Sequence, residues 1–167
     1  MNERRGVPRK HFLRFAGATA AAAATGAANS PPAAAAGTPA ERTIAKLSDL
    51  KVGQAFPAAY PDPSSPIVIL KLGHRVEGGV GPDGDVVAYS SFCTHQGCGV
   101  AYHADRKILA CPCHFSSFDP ATGGMQIIGQ ATTHLPQIVL KTNGDRLYAI
   151  GVRGLIWGRQ DNYLKRS

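Results

Sequence analysis

All four cysteines of this chain fall in two short segments: Cys93-Thr-His95-Gln-Gly-Cys98 and, after twelve intervening residues, Cys111-Pro-Cys113-His114. Whatever the fold, it has to carry these two loops to one point, and the residues between them suffice for the two strands of a hairpin-like excursion. A structural zinc site commonly pairs Cys-x2-4-Cys with His-x3-5-His, so that each element gives two like ligands. Here one segment offers Cys-x-His and the other Cys-x-x-His. Mixed pairs on two loops suit a 2Fe-2S centre in which one iron keeps two thiolates and the other takes two imidazoles, an arrangement that raises the potential above that of an all-thiolate cluster. Cys93 and Cys111 then hold one iron, and His95 and His114 the other. A structural zinc, or two plain disulfides in a small secreted domain, are the competing readings of the same residues.

The doubled pattern resembles the Rieske iron-sulfur proteins. That resemblance implies Cys93, His95, Cys111 and His114 as ligands of a Rieske-type 2Fe-2S cluster, with a Cys98–Cys113 disulfide tying the two cluster loops together. It also implies a Rieske-type antiparallel β-sandwich with a small cluster-binding subdomain, here about residues 90–120. In quinol-oxidising members, a serine two residues past the last ligand and a tyrosine two further on give hydroxyl hydrogen bonds to cluster sulfurs. Ser116 keeps the first of these donors, whereas Phe118 has the ring without the hydroxyl.

From Thr43 onward the pattern itself is β. Short runs rich in β-branched or aromatic residues recur at 67–71, 86–90, 107–110, 125–128, 138–141 and 147–150, bounded by turn residues such as Pro82-Asp-Gly-Asp85, Asp119-Pro-Ala-Thr-Gly-Gly124 and Asn143-Gly144. No sustained helical period follows residue 43, apart from a candidate turn at 47–50, so an all-β sandwich of antiparallel sheets is predicted. The run at 86–90 leads into Cys93 and the run at 107–110 into Cys111, which hangs each ligand loop from a strand end. His74, His103 and His134 fall outside any ligand spacing and read as surface or hydrogen-bonded histidines. Trp157 reads as a packing residue near the C-terminal arm rather than an electron relay.

Residues 1–40 form a separate segment by composition. Arg4, Arg5, Arg9, Lys10 and Arg14 precede an alanine-rich stretch over 15–28, the make-up of a targeting segment. Arg9-Lys10-His-Phe12-Leu13-Arg14 looks like a twin-arginine signal with Lys10 in place of the second arginine, and Arg4-Arg5 is a poorer candidate for the register. The resemblance implies export of a folded domain to the periplasm, where a disulfide persists. A spanning helix needs ~20 strongly apolar residues, more than 15–28 supplies, so cleavage near Ala33–Ala36 is expected over retention as a membrane anchor. The remaining domain, 41–167, holds 13 Lys/Arg against 10 Asp/Glu, so most of the formal charge of +7 belongs to the leader and no nucleic-acid stripe is left.

The chain has no room for the second, mononuclear-iron domain of a Rieske oxygenase, and the extra cysteine pair separates it from Rieske ferredoxins. Tyr60-Pro-Asp-Pro-Ser-Ser-Pro66, Gly78-Gly-Val-Gly-Pro82, Val87-Ala-Tyr-Ser90 and His134-Leu-Pro-Gln137 look like the small subunit of periplasmic arsenite oxidase. This implies an electron-transfer subunit with no substrate chemistry and no catalytic residue of its own. Electrons would pass from a molybdopterin-containing large subunit, which oxidises arsenite to arsenate, to a periplasmic cytochrome c or blue-copper protein. The alternative is the Rieske subunit of a quinol-oxidising cytochrome bc complex.

Overall fold

A computed structural model describes residues 41–163, and the expected signal segment and linker at 1–40 lie outside the described residues. Ten strands follow one another: β1 (Arg42–Lys46), β2 (Ala55–Ala59), β3 (Pro66–Lys71), β4 (Val86–Ser90), β5 (Ala101–His103), β6 (Ile108–Ala110), β7 (Ser117–Asp119), β8 (Met125–Ile128), β9 (Gln137–Asn143) and β10 (Arg146–Arg153). A single 3-10 turn at Leu47–Asp49 occupies the stretch where the sequence allows a helical turn. Every strand pairing is antiparallel, as expected for an all-β chain.

The strands form two sheets, a six-stranded one in the order β1-β10-β9-β4-β3-β2 and a four-stranded one in the order β5-β6-β7-β8. β4 and β9 are neighbours in the larger sheet, so the smaller sheet and all the cysteine loops are one excursion between them.

The apolar runs on β3 and β4 show why the excursion folds back. Successive residues of a strand face opposite ways, yet Ile67-Val-Ile-Leu70 and Val86-Val-Ala-Tyr89 have no polar side to give to water. Ile67, Ile69, Val86 and Ala88 point into one core with Tyr60, Ile138, Leu140 and Leu147. Val68, Leu70, Val87 and Tyr89 point into a second core with Leu109, Phe118, Leu135 and the two thiols Cys93 and Cys111. Two central strands are thus buried on both faces, and the small sheet covers the second face. Full burial of an aliphatic side chain contributes ~1.5–3 kcal/mol, so this shared wall anchors the excursion firmly.

The six strands read from the sequence are all present, with ends shifted by a few residues. Four more are found. β2 carries Pro57 and survives because it is an edge strand, where proline's missing donor costs no ladder bond. β1 is mostly exposed at the opposite edge, and β5 and β7 have three residues each, too few for a period to show.

Candidate metal centre

The first loop leaves the end of β4 and is closed by its own backbone. Cys93 N–H donates to Cys98 O at 2.8 Å and Gly97 N–H donates to Cys93 O at 2.9 Å, which brings His95 to the apex of a tight turn. The second loop leaves the end of β6 in the same manner, closed by Cys111 N–H donating to Ser116 O at 2.8 Å. Each loop therefore hangs from a rigid strand. A disulfide between Cys98 and Cys113 joins the two loops, as the family resemblance implies.

The sulfurs of Cys98, Cys111 and Cys113 lie within 4.8 Å of one another, but two of the three are bonded together and offer no thiolate, so the trio is not itself a metal site. The donors left at the loop junction are two thiols and two imidazoles. Cys93 and Cys111 are buried in one core. His95 and His114 meet nearer the surface, Nδ1 to Nδ1 at 3.2 Å, with their rings edge to face at 85°.

Burial pushes the Cys93 thiol up, and the neighbouring Cys111 adds to the rise; the His95 backbone N–H and the Ser116 hydroxyl act in the opposite sense by bonding to the sulfur. A thiolate here lacks a cation among the described side chains. A thiolate-ligated iron supplies that charge, and two soft sulfurs inside with two imidazoles outside are the donor set of a 2Fe-2S centre with mixed ligands. The residues fit the group.

Ser116 is fully buried. Its Oγ accepts from Ala131 N–H at 3.0 Å, and its hydroxyl favours the charged form of Cys93. Phe118, also fully buried, pairs with Leu109 across the small sheet and walls the core that holds both thiols. Phe115 is the opposite case: next to His114, its ring is 79% exposed on a residue with φ of 58°.

A third segment, 129–135, completes the site, and sequence reasoning gave it no structural part. Gly129 sits at φ +102°, where a Cβ would lie 2.3 Å from the Ser116 Cα. That close approach sets Ala131 against Ser116, and Thr94 Oγ1, beside His95, donates to Thr133 O at 3.0 Å. In the sequence, Gly129-Gln-Ala-Thr132 stands where quinol-oxidising Rieske proteins carry a Gly-Pro-Ala-Pro loop, which marks the stretch without revealing its contacts.

The remaining histidines stand apart from the centre. His74 Nδ1 is 3.2 Å from Leu72 O, His134 Nδ1 accepts from Gln126 N–H at 3.3 Å, and His103 lies on β5. Between Asp85 and Lys141 the chain carries only Asp105, Arg106, Lys107 and Asp119 as charged residues, none of them in a cysteine loop. A cleft of about 900 Å³ beside Glu77, His134 and Arg153 and one of about 670 Å³ beside Asp62, Phe92 and Trp157 are lined by neither the thiols nor the imidazole pair. Among the described residues, no helix is long and apolar enough to cross a membrane.

The description "Rieske 2Fe-2S domain" matches residues 42–149. Along nearly the whole chain the sequence is similar to iodate reductase subunit IdrB of Denitromonas iodatirespirans, 44% identical over 96% of this chain and 89% of that protein. The subunit of the same name from Pseudomonas sp. (strain SCT) is 41% identical over 93% and 84%. Similarity to the cytochrome bc1 complex Rieske iron-sulfur subunit of Streptomyces lividans, 43% identical, is confined to 36% of each chain. In backbone, the soluble domain of Rieske protein II (soxF) from Sulfolobus acidocaldarius superposes with a TM-score of 0.65 over 73% of this chain and 82% of that one, at 20% identity. Paired cysteine-histidine loops on strand ends, a disulfide across them and two buried thiols under two imidazoles are thus the centre of a chain that belongs to the Rieske 2Fe-2S family and takes a Rieske-type 2Fe-2S cluster as its cofactor.

Proposed function

We propose that this chain is the electron-transfer subunit of a two-component oxyanion oxidoreductase, with Cys93 and Cys111 holding one iron and His95 and His114 the other. The observation that carries the reading is end-to-end similarity to iodate reductase subunits, set against a likeness to a cytochrome bc1 subunit that covers only the cluster region. The partner is a molybdopterin-containing large subunit that performs the substrate chemistry, here the reduction of iodate. When bound, the cluster supplies storage for one electron at a time. The protein's own residues hold it in a buried, charge-poor pocket, keep the imidazole edges open to the surface, and fix both loops through the disulfide and Ser116.

Electrons arrive from a periplasmic cytochrome c or blue-copper protein, and the chain reaches that compartment by the twin-arginine route through Arg9-Lys10. No substrate binds to this subunit, since its imidazole pair opens to the surface and not into a cleft.

A second reading, the small subunit of arsenite oxidase with electrons flowing the other way, draws on Tyr60-Pro-Asp-Pro, Gly78-Gly-Val-Gly-Pro82 and His134-Leu-Pro-Gln137. Affinity purification of the tagged chain from its own cells, with metal analysis of what co-purifies, tests both. A molybdenum-containing partner that reduces iodate supports the first reading. One that oxidises arsenite and ignores iodate supports the second, and a membrane-bound cytochrome bc complex overturns both.

A further inference from the structure

The C-terminal arm, residues 154–163, ends in an arrangement out of proportion to a simple tail. Arg159 donates through Nη1 to Asp62 Oδ2 at 2.5 Å and Ser65 Oγ at 2.9 Å, through Nε to Asp161 O at 2.9 Å, and through Nη2 to Tyr163 O at 2.9 Å. Asn162 closes the arm on itself, accepting from Ile156 N–H at 3.1 Å and donating to Gly154 O. Ile156 is buried at 1% exposure. Between these two fixed points stands Trp157, 45% exposed.

Its ring lies against Gly97. A Cβ built on Gly97 would fall 2.2 Å from Trp157 Cε3, 2.5 Å from Cζ3 and 2.6 Å from Cδ2, so the six-membered ring lies flat against the Gly97 backbone. Gly97 adopts φ +73° and donates its N–H to Cys93 O, while Cys98, the next residue, accepts from Cys93 N–H. Displacement of Gly97 therefore moves Cys93, and the segment from Thr94 to Gln96 that carries His95 lies within the same closed turn.

We infer that Trp157 is a positioning residue for the cluster: held by Arg159 on Asp62, it clamps the first ligand loop from outside, as the disulfide clamps it from within. The inference rests on the ligand assignment proposed above and not on the identity of the partner's substrate. The disulfide restrains the loop through the Cys98 side chain, and the tryptophan adds a contact on the backbone of the preceding residue, whose N–H closes the turn onto Cys93 O. A ring packed on a backbone without a Cβ also leaves no side chain to yield, so the clamp is stiff. The cost of fixing the arm is met by the burial of Ile156 and by a charge-assisted bond between two largely covered partners.

Trp157 is the only tryptophan of the chain, so its fluorescence reports the clamp without reference to activity. The test compares full-length wild type with Arg159→Met, Trp157→Ala and Trp157→Phe, each loaded with cluster. Arg159→Met is expected to make Trp157 more accessible to acrylamide. It should also broaden the EPR signal of the reduced protein and bleach the visible absorbance on warming at roughly tenfold the wild-type rate, the factor that a barrier lowered by about 1.4 kcal/mol gives. Trp157→Ala should give the same spectral change, and Trp157→Phe should restore most of the wild-type behaviour. The inference is overturned if Arg159→Met leaves acrylamide quenching unchanged, or if quenching rises while signal width and bleaching rate stay at wild-type values. Failure of the ligand assignment looks different: wild type itself would then lack a Rieske-type EPR signal.

Discussion

Replacing Ser116 by alanine removes two things at once, the hydroxyl that favours a charged Cys93 sulfur and the acceptor of the Ala131 N–H. The first stabilises negative charge on sulfur, and so favours the reduced, more electron-rich cluster. Phe118, two residues on, contributes only its ring to the core beside the thiols. Ser116→Ala is therefore expected to lower the reduction potential, and Phe118→Tyr to raise it, each by on the order of tens of millivolts, since only the difference between oxidation states counts. Protein-film voltammetry at one pH checks both. An unmoved or lowered potential in Phe118→Tyr with the cluster intact would show that a hydroxyl there does not reach a cluster sulfur. The two loops that carry the four candidate ligands were legible from the cysteine and histidine spacing, and the Cys98–Cys113 pair from the family resemblance. The contacts of Ala131 N–H and Thr133 O were not, because the partner of a backbone group leaves no signature in residue type.

The elements divide into those that sequence periodicity reveals and those that tertiary pairing creates. β3 and β4 stand out as unbroken apolar runs because both faces are buried, whereas β5 and β7, with three residues each, owe their existence to neighbours in the small sheet. Two restraints hold the loops and the arm to these elements, and each has a measurable contribution. The Cys98–Cys113 cross-link spans 15 residues of sequence, and in the chain-entropy picture a loop of that size is worth ~3 kcal/mol. The Cys98→Ser, Cys113→Ser double variant is expected to bind a cluster, because neither residue is a proposed ligand, and to lose its visible absorbance at a lower temperature. Failure to bind any iron would make one of these cysteines a ligand. The second restraint is the Asp62–Arg159 pair. Burial of the Asp62 carboxyl works against ionisation, but hydrogen bonds from Arg159, Ser64 and Ser65 and the Arg159 charge outweigh it and hold the carboxyl down to about 2. A folded-state value below the unfolded one means stability that is present above about pH 4 and is lost as the pH falls toward 2; a drop from 3.8 to about 2 corresponds to about 2 kcal/mol. Acid titration of thermal stability should show this loss in wild type, and a visibly smaller one in Asp62→Asn.

At the scale of the whole molecule, one β domain carries the centre, and residues 1–40 carry most of the net charge. The all-β class and the family were legible because the two motifs and the apolar runs are local. The partner's substrate was not, because the motifs of this chain describe a cluster and not the reaction it serves; arsenite was expected from local motifs, whereas the end-to-end relatives are iodate reductase subunits. The export route proposed above predicts that Arg9→Lys holds the protein in the cytoplasm while Arg4→Lys with Arg5→Lys leaves export nearly intact, as cell fractionation reads directly; the reverse pattern would move the signal to Arg4-Arg5. The account as a whole turns on a chain that relays electrons without touching the substrate. The direct measurement is the EPR signal of the reduced protein on addition of iodate, with and without the molybdenum-containing partner. Loss of the signal only when the partner is present is the predicted result; a signal that iodate removes from the isolated chain, or fails to remove from the complex, contradicts it.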